Sequence, residues 1–186
     1  MRLSFVTVFF LFIFTLTAAT VFARNDSLFI QKIGFHCTLP TGFNLIDSQS
    51  RTLSPIPEIH VWQQKYIYTA APGFLSFGIT RSQQKNIDWS FVFNREAEHF
   101  YKTMQAQKPD FRLNLLLSFV VIGSKKFDKY LVTGKNEQGA VYNNIQISTM
   151  IHDYRFSISY NYTTPEQQVL IEAALATAKF DEETGY

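Results

Sequence analysis

The sequence predicts an α+β protein, with an antiparallel β-sheet flanked by helices. Three observations carry that prediction. Alternating apolar and polar residues recur in short runs along most of the chain, two segments switch to helical spacing, and consecutive strand-like runs are joined by links too short for a parallel crossover.

The N-terminal segment 1–23 stands apart from this pattern. Met1-Arg2 leads into an apolar run over 3–16, and Thr17-Ala18-Ala19-Thr20 then leads to Val21-Phe22-Ala23. A positive start, an apolar core and small or branched residues at the end read as a secretory signal cut after Ala23. The alternative is an uncleaved anchor, because the run approaches the ~20 residues needed to span a bilayer. Cys37 lies well past that cut, behind Phe35-His36, which is badly placed for a lipid anchor.

Removing this segment changes the composition argument. The whole chain has 186 residues, 46% hydrophobic and 17% charged, yet 6 of its 19 Phe belong to 1–23. Arg2 is the one charge removed, so over 24–186 Lys+Arg falls from 17 to 16 against 15 Asp+Glu. That length fits one domain, read as 24–180 with a polar tail over 181–186, and it can bury a core without metals or cross-links. The single Cys excludes a disulfide framework, and near-neutral charge argues against nucleic acid.

Along the domain, strands are expected over 33–39 and 43–47, joined as a small hairpin through Pro40-Thr41-Gly42. Residues 48–57, rich in Ser and closed by Pro55 and Pro57, read as a surface loop. From Ile59 to Thr69, His60, Trp62, Gln64, Tyr66 and Tyr68 point one way and their neighbours the other. Ala71-Pro72-Gly73 turns the chain into a strand over 74–81. Trp89, Val92, Phe93, Ala97, Phe100 and Met104 then recur at spacings of 3 and 4, a helix with Asp88 as N-cap and Pro109 as its stop.

Four more strands follow, over 115–122, 127–134, 141–151 and 154–163, with turns at 136–139 and at His152-Asp153. Thr164-Pro165-Glu166-Gln167 opens the last helix with an N-cap, a first-turn Pro and acid, and Gln at the capping-box position. Its alanines suit close approach to a sheet, and Phe180 anchors its end.

The order is specific enough to compare. A Leu-Pro-x-Gly-Phe turn (39–43), a meander, a central helix, strands ending in Tyr-x-Phe-x-Ile-x-Tyr (154–160) and a closing helix ending in Phe resemble the α/β/α sandwich of the PsbP-like superfamily. That group includes PsbP proteins of photosystem II, DcrB-type bacterial envelope proteins and a nuclear import factor that binds Ran. The resemblance implies small accessory or binding proteins without shared catalysis, and the export segment is similar to the envelope branch. It transfers no binding residue to a numbered position.

Motifs for chemistry are sparse. Cys37 would need a base to act as a nucleophile, and His36 would face the other side of a strand; a small buried hydrophobe is the plainer reading. His36, His60, His99 and His152 have no zinc spacing, and no calcium loop, nucleophile elbow or phosphate loop is present. Lys125, Lys126 and Lys129 read as a solvated strand edge, which discourages edge pairing. The sequons at Asn25 and Asn161 matter only in a eukaryotic secretory pathway.

Trp62, Tyr66 and Tyr68 form the candidate binding row, since aromatic side chains with polar tips suit a partly wet partner surface or an apolar groove; the other reading is that a helix covers them. The expectation is an exported, non-enzymatic binding or accessory protein of the bacterial envelope or extracellular space. It would be periplasmic or secreted, with a protein or small apolar ligand as partner and no cofactor, metal or nucleic acid. The alternatives are a structural component tethered through an uncleaved 1–23 or a small thiol-dependent hydrolase using Cys37.

Overall fold

β-Branched and aromatic residues at alternate positions build most of the molecule. The computed structural model describes residues 27–53, 61–70, 73–81 and 88–181, and only the backbone of 48–53, 61–64 and 70 within them. The expected signal segment 1–23, residues 54–57 of the expected loop, Ala71-Pro72 and most of the tail lie outside the described residues, as do the Asn25 sequon and His60.

Among the described residues seven strands make one antiparallel sheet: β3 (Asn44–Leu53), β4 (Val61–Ala70), β5 (Gly73–Arg81), β6 (Phe111–Ile122), β7 (Lys125–Asn136), β8 (Val141–Ile151) and β9 (Tyr154–Tyr162). Their order across the sheet is β3-β4-β5-β9-β8-β7-β6. The α+β class is therefore as expected. Helix α1 (Trp89–Gln107) connects β5 to β6, so the chain builds three strands, leaves through the helix and returns to add four. A second sheet joins β1 (Ser27–Ile30), β2 (Phe35–Thr38) and β10 (Lys179–Phe180), and α2 (Pro165–Ala176) precedes β10.

Both helix starts form as the sequence anticipates. Asp88 accepts a hydrogen bond from the Phe91 N–H at 3.0 Å, and Thr164 Oγ1 accepts one from the Gln167 N–H at 3.4 Å. Gln167 reaches back one residue further than a capping box requires, its Oε1 accepting from the Thr163 N–H at 3.0 Å.

Period-2 alternation divides the sheet's side chains between two cores. One gathers Phe77, Phe127, Phe156, Ile158 and Tyr160 from the central strands with Phe35 of β2 and Ile171 and Leu175 of α2. Phe35 sits at its centre, its ring 4.7 Å from that of Phe156 and 5.3 Å from that of Phe180. The other core packs Phe93 and Ala97 of α1 on Leu113, Tyr130 and Val132 of β6 and β7.

Three expectations are corrected. The turn at Pro40-Thr41-Gly42 forms, with the Phe43 N–H bonded to Pro40 O at 3.2 Å and Gly42 at φ +85°, but no hairpin results. β2 pairs with β1 and β10, whereas β3 pairs with β4, so the two segments belong to different sheets. Residues 48–53 are not loop; they extend β3, which carries a register shift between Leu45 and Asp47. The three lysines lie on β7, which β6 flanks, so they guard no edge. β6 and β7 meet through Gly123 and Ser124, both at positive φ (52° and 70°), the conformation a two-residue type I′ hairpin needs.

Candidate functional site

The aromatic row lies on β4. Tyr68 is buried in the larger core, its ring edge-on to Phe77 at 6.2 Å, and Tyr66 is half-buried against the same core. Trp62 sits opposite Thr52 in the β3–β4 ladder, and its side chain lies outside the described residues. The register thus directs two of the three residues inward. Tyr66 and Tyr68 face Phe77 and Leu75 of β5, whose side chains are fully buried.

Cys37 is buried on β2, alternating with exposed His36 and Thr38. Its Sγ donates to Thr38 O and Ala174 O, both at 3.4 Å, and burial pushes the thiol up to about 11, with a Thr177 hydrogen bond opposing. A thiol held protonated and away from solvent is a poor nucleophile. His36 turns outward as strand alternation requires, stacked on Phe29 at 4.3 Å and donating from Nε2 to Asp181 Oδ1 at 2.8 Å. Among the described residues no group of three His, Cys, Asp or Glu could hold a metal.

A polar cleft of about 340 Å³ opens where α1 begins over β8 and β9, lined by Asp88, Trp89, Asp128, Ser148 and Arg155 among others. Its charges are paired within the chain. Arg155 grips Glu96 through both terminal nitrogens and donates from Nε to Ser148 Oγ at 3.0 Å, while Ser90 donates to Asp128 at 2.7 Å. Tyr130 packs against Phe93 beneath α1; burial, reinforced by the Glu96 carboxylate and opposed by Arg155, pushes its phenol up and keeps it neutral. The arrangement fastens α1 to the sheet, and Asp88 is occupied as the helix cap.

The feature left without a partner is β6. It ends the large sheet, so among the described residues its outer backbone groups face no further strand. Leu113 and Ile122 are buried near its two ends, but between them Leu116, Leu117, Phe119 and Val121 are 54%, 49%, 63% and 62% exposed. Even and odd residues point to opposite faces, so the odd face carries exposed Leu117, Phe119 and Val121, while the even face carries exposed Leu116 between polar Asn114 and Ser118. Strands of an antiparallel sheet commonly show one apolar and one wet face; apolar residues on both are expected where layers cover both faces, and at 116, 117, 119 and 121 of β6 they stand exposed instead. The Lys126 ammonium lies 4.5 Å from the Phe119 ring centre.

The apolar surface continues onto α2. Val120, Val121, Glu172 and Ala176 line a hollow of about 290 Å³ between β6 and the helix, and Val169, one turn before Glu172, is 64% exposed. At the other end of β6 an open concavity of about 970 Å³ is bordered by Arg112, Asn114, Lys135 and Glu137. The sequence signal for this site is the run 115–122, apolar except at Ser118, which by itself indicates only a strand.

The chain is thus an α+β protein with a long apolar strand at the edge of its sheet. No protein-family model matches it, and no curated protein matches it. Similar solved structures include the following two. A Bacteroides thetaiotaomicron protein is 12% identical with a TM-score of 0.49, over 87% of this chain and 50% of that one, so the chain spans half of that protein's length. LpqN, involved in cell envelope biogenesis of Mycobacterium tuberculosis, is 14% identical with a TM-score of 0.38, over 82% of this chain and 88% of that one.

Proposed function

We propose that the chain is an exported, non-enzymatic binding or accessory protein of the bacterial envelope or extracellular space, which docks a protein partner along β6. The observation that carries this reading is the exposed row Leu116, Leu117, Phe119 and Val121 on a strand whose outer edge is free among the described residues. Exposed apolar patches of a few hundred Å² mark interaction surfaces, and a free edge offers main-chain hydrogen bonds to an added strand.

Export draws on the apolar segment 3–16 and the small residues leading to Ala23. The envelope setting and a PsbP-like α/β/α sandwich draw on the sequence resemblance, supported by the division of the cores between α1 on one side and α2 with β2 on the other. Against the thiol-hydrolase alternative stands the buried Cys37, whose Sγ is held by two carbonyls while His36 faces the other side of β2. Among the described residues no helix is long and apolar enough to cross a membrane, so the tethered alternative rests on 1–23 alone.

A photo-crosslinking residue at Phe119, introduced in the producing cells, tests the docking role, with the same probe at exposed Val169 and at exposed Arg95 on α1 as near and far comparisons. A discrete protein adduct at 119, absent at 95, is expected. Lack of any adduct at 119 overturns the role. Intact mass of the native protein tests export, the expected species starting at Arg24.

A further inference from the structure

We infer that the partner on β6 is a second copy of this chain, joined β6 to β6 in antiparallel fashion about a two-fold axis, so that two seven-stranded sheets become one. This rests on the reading of β6 as the docking surface and goes beyond it by naming the occupant.

Charge is the first argument. Within Phe111–Ile122 the one charged residue is Arg112, at the strand's beginning. Antiparallel self-pairing puts the two Arg112 side chains at opposite ends of the joint, so no like charges oppose each other. The apolar middle then meets itself. A two-fold axis normal to the sheet pairs residues of the same face, so odd positions meet odd ones and even meet even; centred on Leu117, for example, it sets Leu115 against Phe119.

Closure is the second. The sheet's other edge, β3, is unlike β6: its exposed apolar residues Leu45 and Ile46 fall at the register shift that interrupts the strand, and residues 47–52 read Asp-Ser-Gln-Ser-Arg-Thr. Polar residues and bulges are how natural edges avoid pairing. A β6-to-β3 contact would propagate into a filament, whereas β6 to β6 uses the same patch on each copy and closes. Two apolar edges would have built fibres; one builds a dimer.

Size is the third. A 12-residue strand runs roughly 40 Å, and an edge about 10 Å deep presents about 400 Å² per copy. That is about half of what one partner contributes to a specific interface of ordinary size, and the main-chain hydrogen bonds of the joined strands add to it.

The test uses the exported chain purified without the segment 1–23. Sedimentation velocity from 1 to 100 μM is expected to give twice the chain mass at the upper concentrations. Leu117→Lys with Phe119→Lys is expected to give the single-chain mass with the melting curve unmoved by more than a few degrees, since both side chains are exposed in one copy. Single cysteines at 115, 116, 117 and 118 fix the geometry: under mild oxidation one of these positions is expected to give a disulfide-linked dimer far ahead of its neighbours, while buried Cys37 stays reduced. A purely monomeric chain at 100 μM overturns the inference. If the Phe119 adduct in cells is a different protein, the dimer falls and the docking role stands; if there is no adduct and no dimer, both fall.

Discussion

Replacing Phe35 by Ala tests how the small sheet is joined to the large one. The ring is fully buried and meets Phe77, Phe156 and Phe180 at 5.7, 4.7 and 5.3 Å, one contact from each of β5, β9 and β10. Truncating a Phe in such a setting costs about 3–5 kcal/mol, from lost transfer energy plus the cavity that rigid neighbours cannot close. For a chain of this length each kcal/mol lowers Tm by roughly 2–4 °C, so a fall of roughly 6–20 °C is expected. Phe29→Ala is the comparison: that ring is on the adjoining strand and stacks on His36, but is 50% exposed, and its loss is expected to cost less than about 1 kcal/mol. Urea unfolding followed by circular dichroism and tyrosine fluorescence separates two causes of a small effect. If β1, β2 and β10 are part of one cooperative unit, both probes shift together with an unchanged slope. A Phe35→Ala shift under about 2 °C, or a transition split into two, would refute the reasoning.

Three further outcomes follow from other parts of the structure. Gly134→Ala is expected to cost about 1–3 kcal/mol in denaturant midpoint, because a Cβ there would stand 2.6 Å from both Arg112 O and Leu113 Cδ2 in the neighbouring strand; an unchanged midpoint would mean β6 is not held as described. Cys37 is expected to resist iodoacetamide at pH 8 while folded and to react fully in denaturant. Its raised pKa also fixes a sign: the folded state holds the thiol proton more tightly, so this contribution is complete below about pH 8.5 and is lost as pH rises toward about 11, by about 2–3 kcal/mol in all, and Cys37→Ala should flatten the fall measured between pH 8.5 and 10. Glu96→Gln breaks the two-point grip on Arg155 beside half-exposed Glu96, and about 1 kcal/mol or less is expected from thermal melts, with α1 remaining folded by circular dichroism.

What could be read in the sequence was local, and what could not was pairing. The helix caps at Asp88 and Thr164, the β8 bounds and the inward row of β9 followed from residues within a few positions of each other, and the structure places them there. β1 and β10 have four and two residues, too short to show any period, so the small sheet was invisible although Phe35 and Phe180 meet inside it. The Pro40-Thr41-Gly42 turn shows the same divide more sharply. Its residues specify a reversal and the reversal forms, yet a turn fixes only the direction in which the chain leaves, and long-range partners then took β2 and β3 to separate sheets.

The candidate site obeys the same logic with the opposite result for its residues. Period-2 alternation puts Trp62, Tyr66 and Tyr68 on one face without saying whether that face binds a partner or is covered; β5 and the core behind it decide that Tyr68 is packing. The run 115–122 reads only as a strand for the complementary reason. Apolar residues on both faces of a strand are ordinary where layers cover both faces, and only the order β9-β8-β7-β6 reveals that β6 has one neighbouring strand among the described residues. Its composition is that of an interior strand, and its position is that of an edge. A second β6 would pair that edge without altering a residue, since the alternate residues whose N–H and C=O point away from β7 in one copy would meet the same residues of the other.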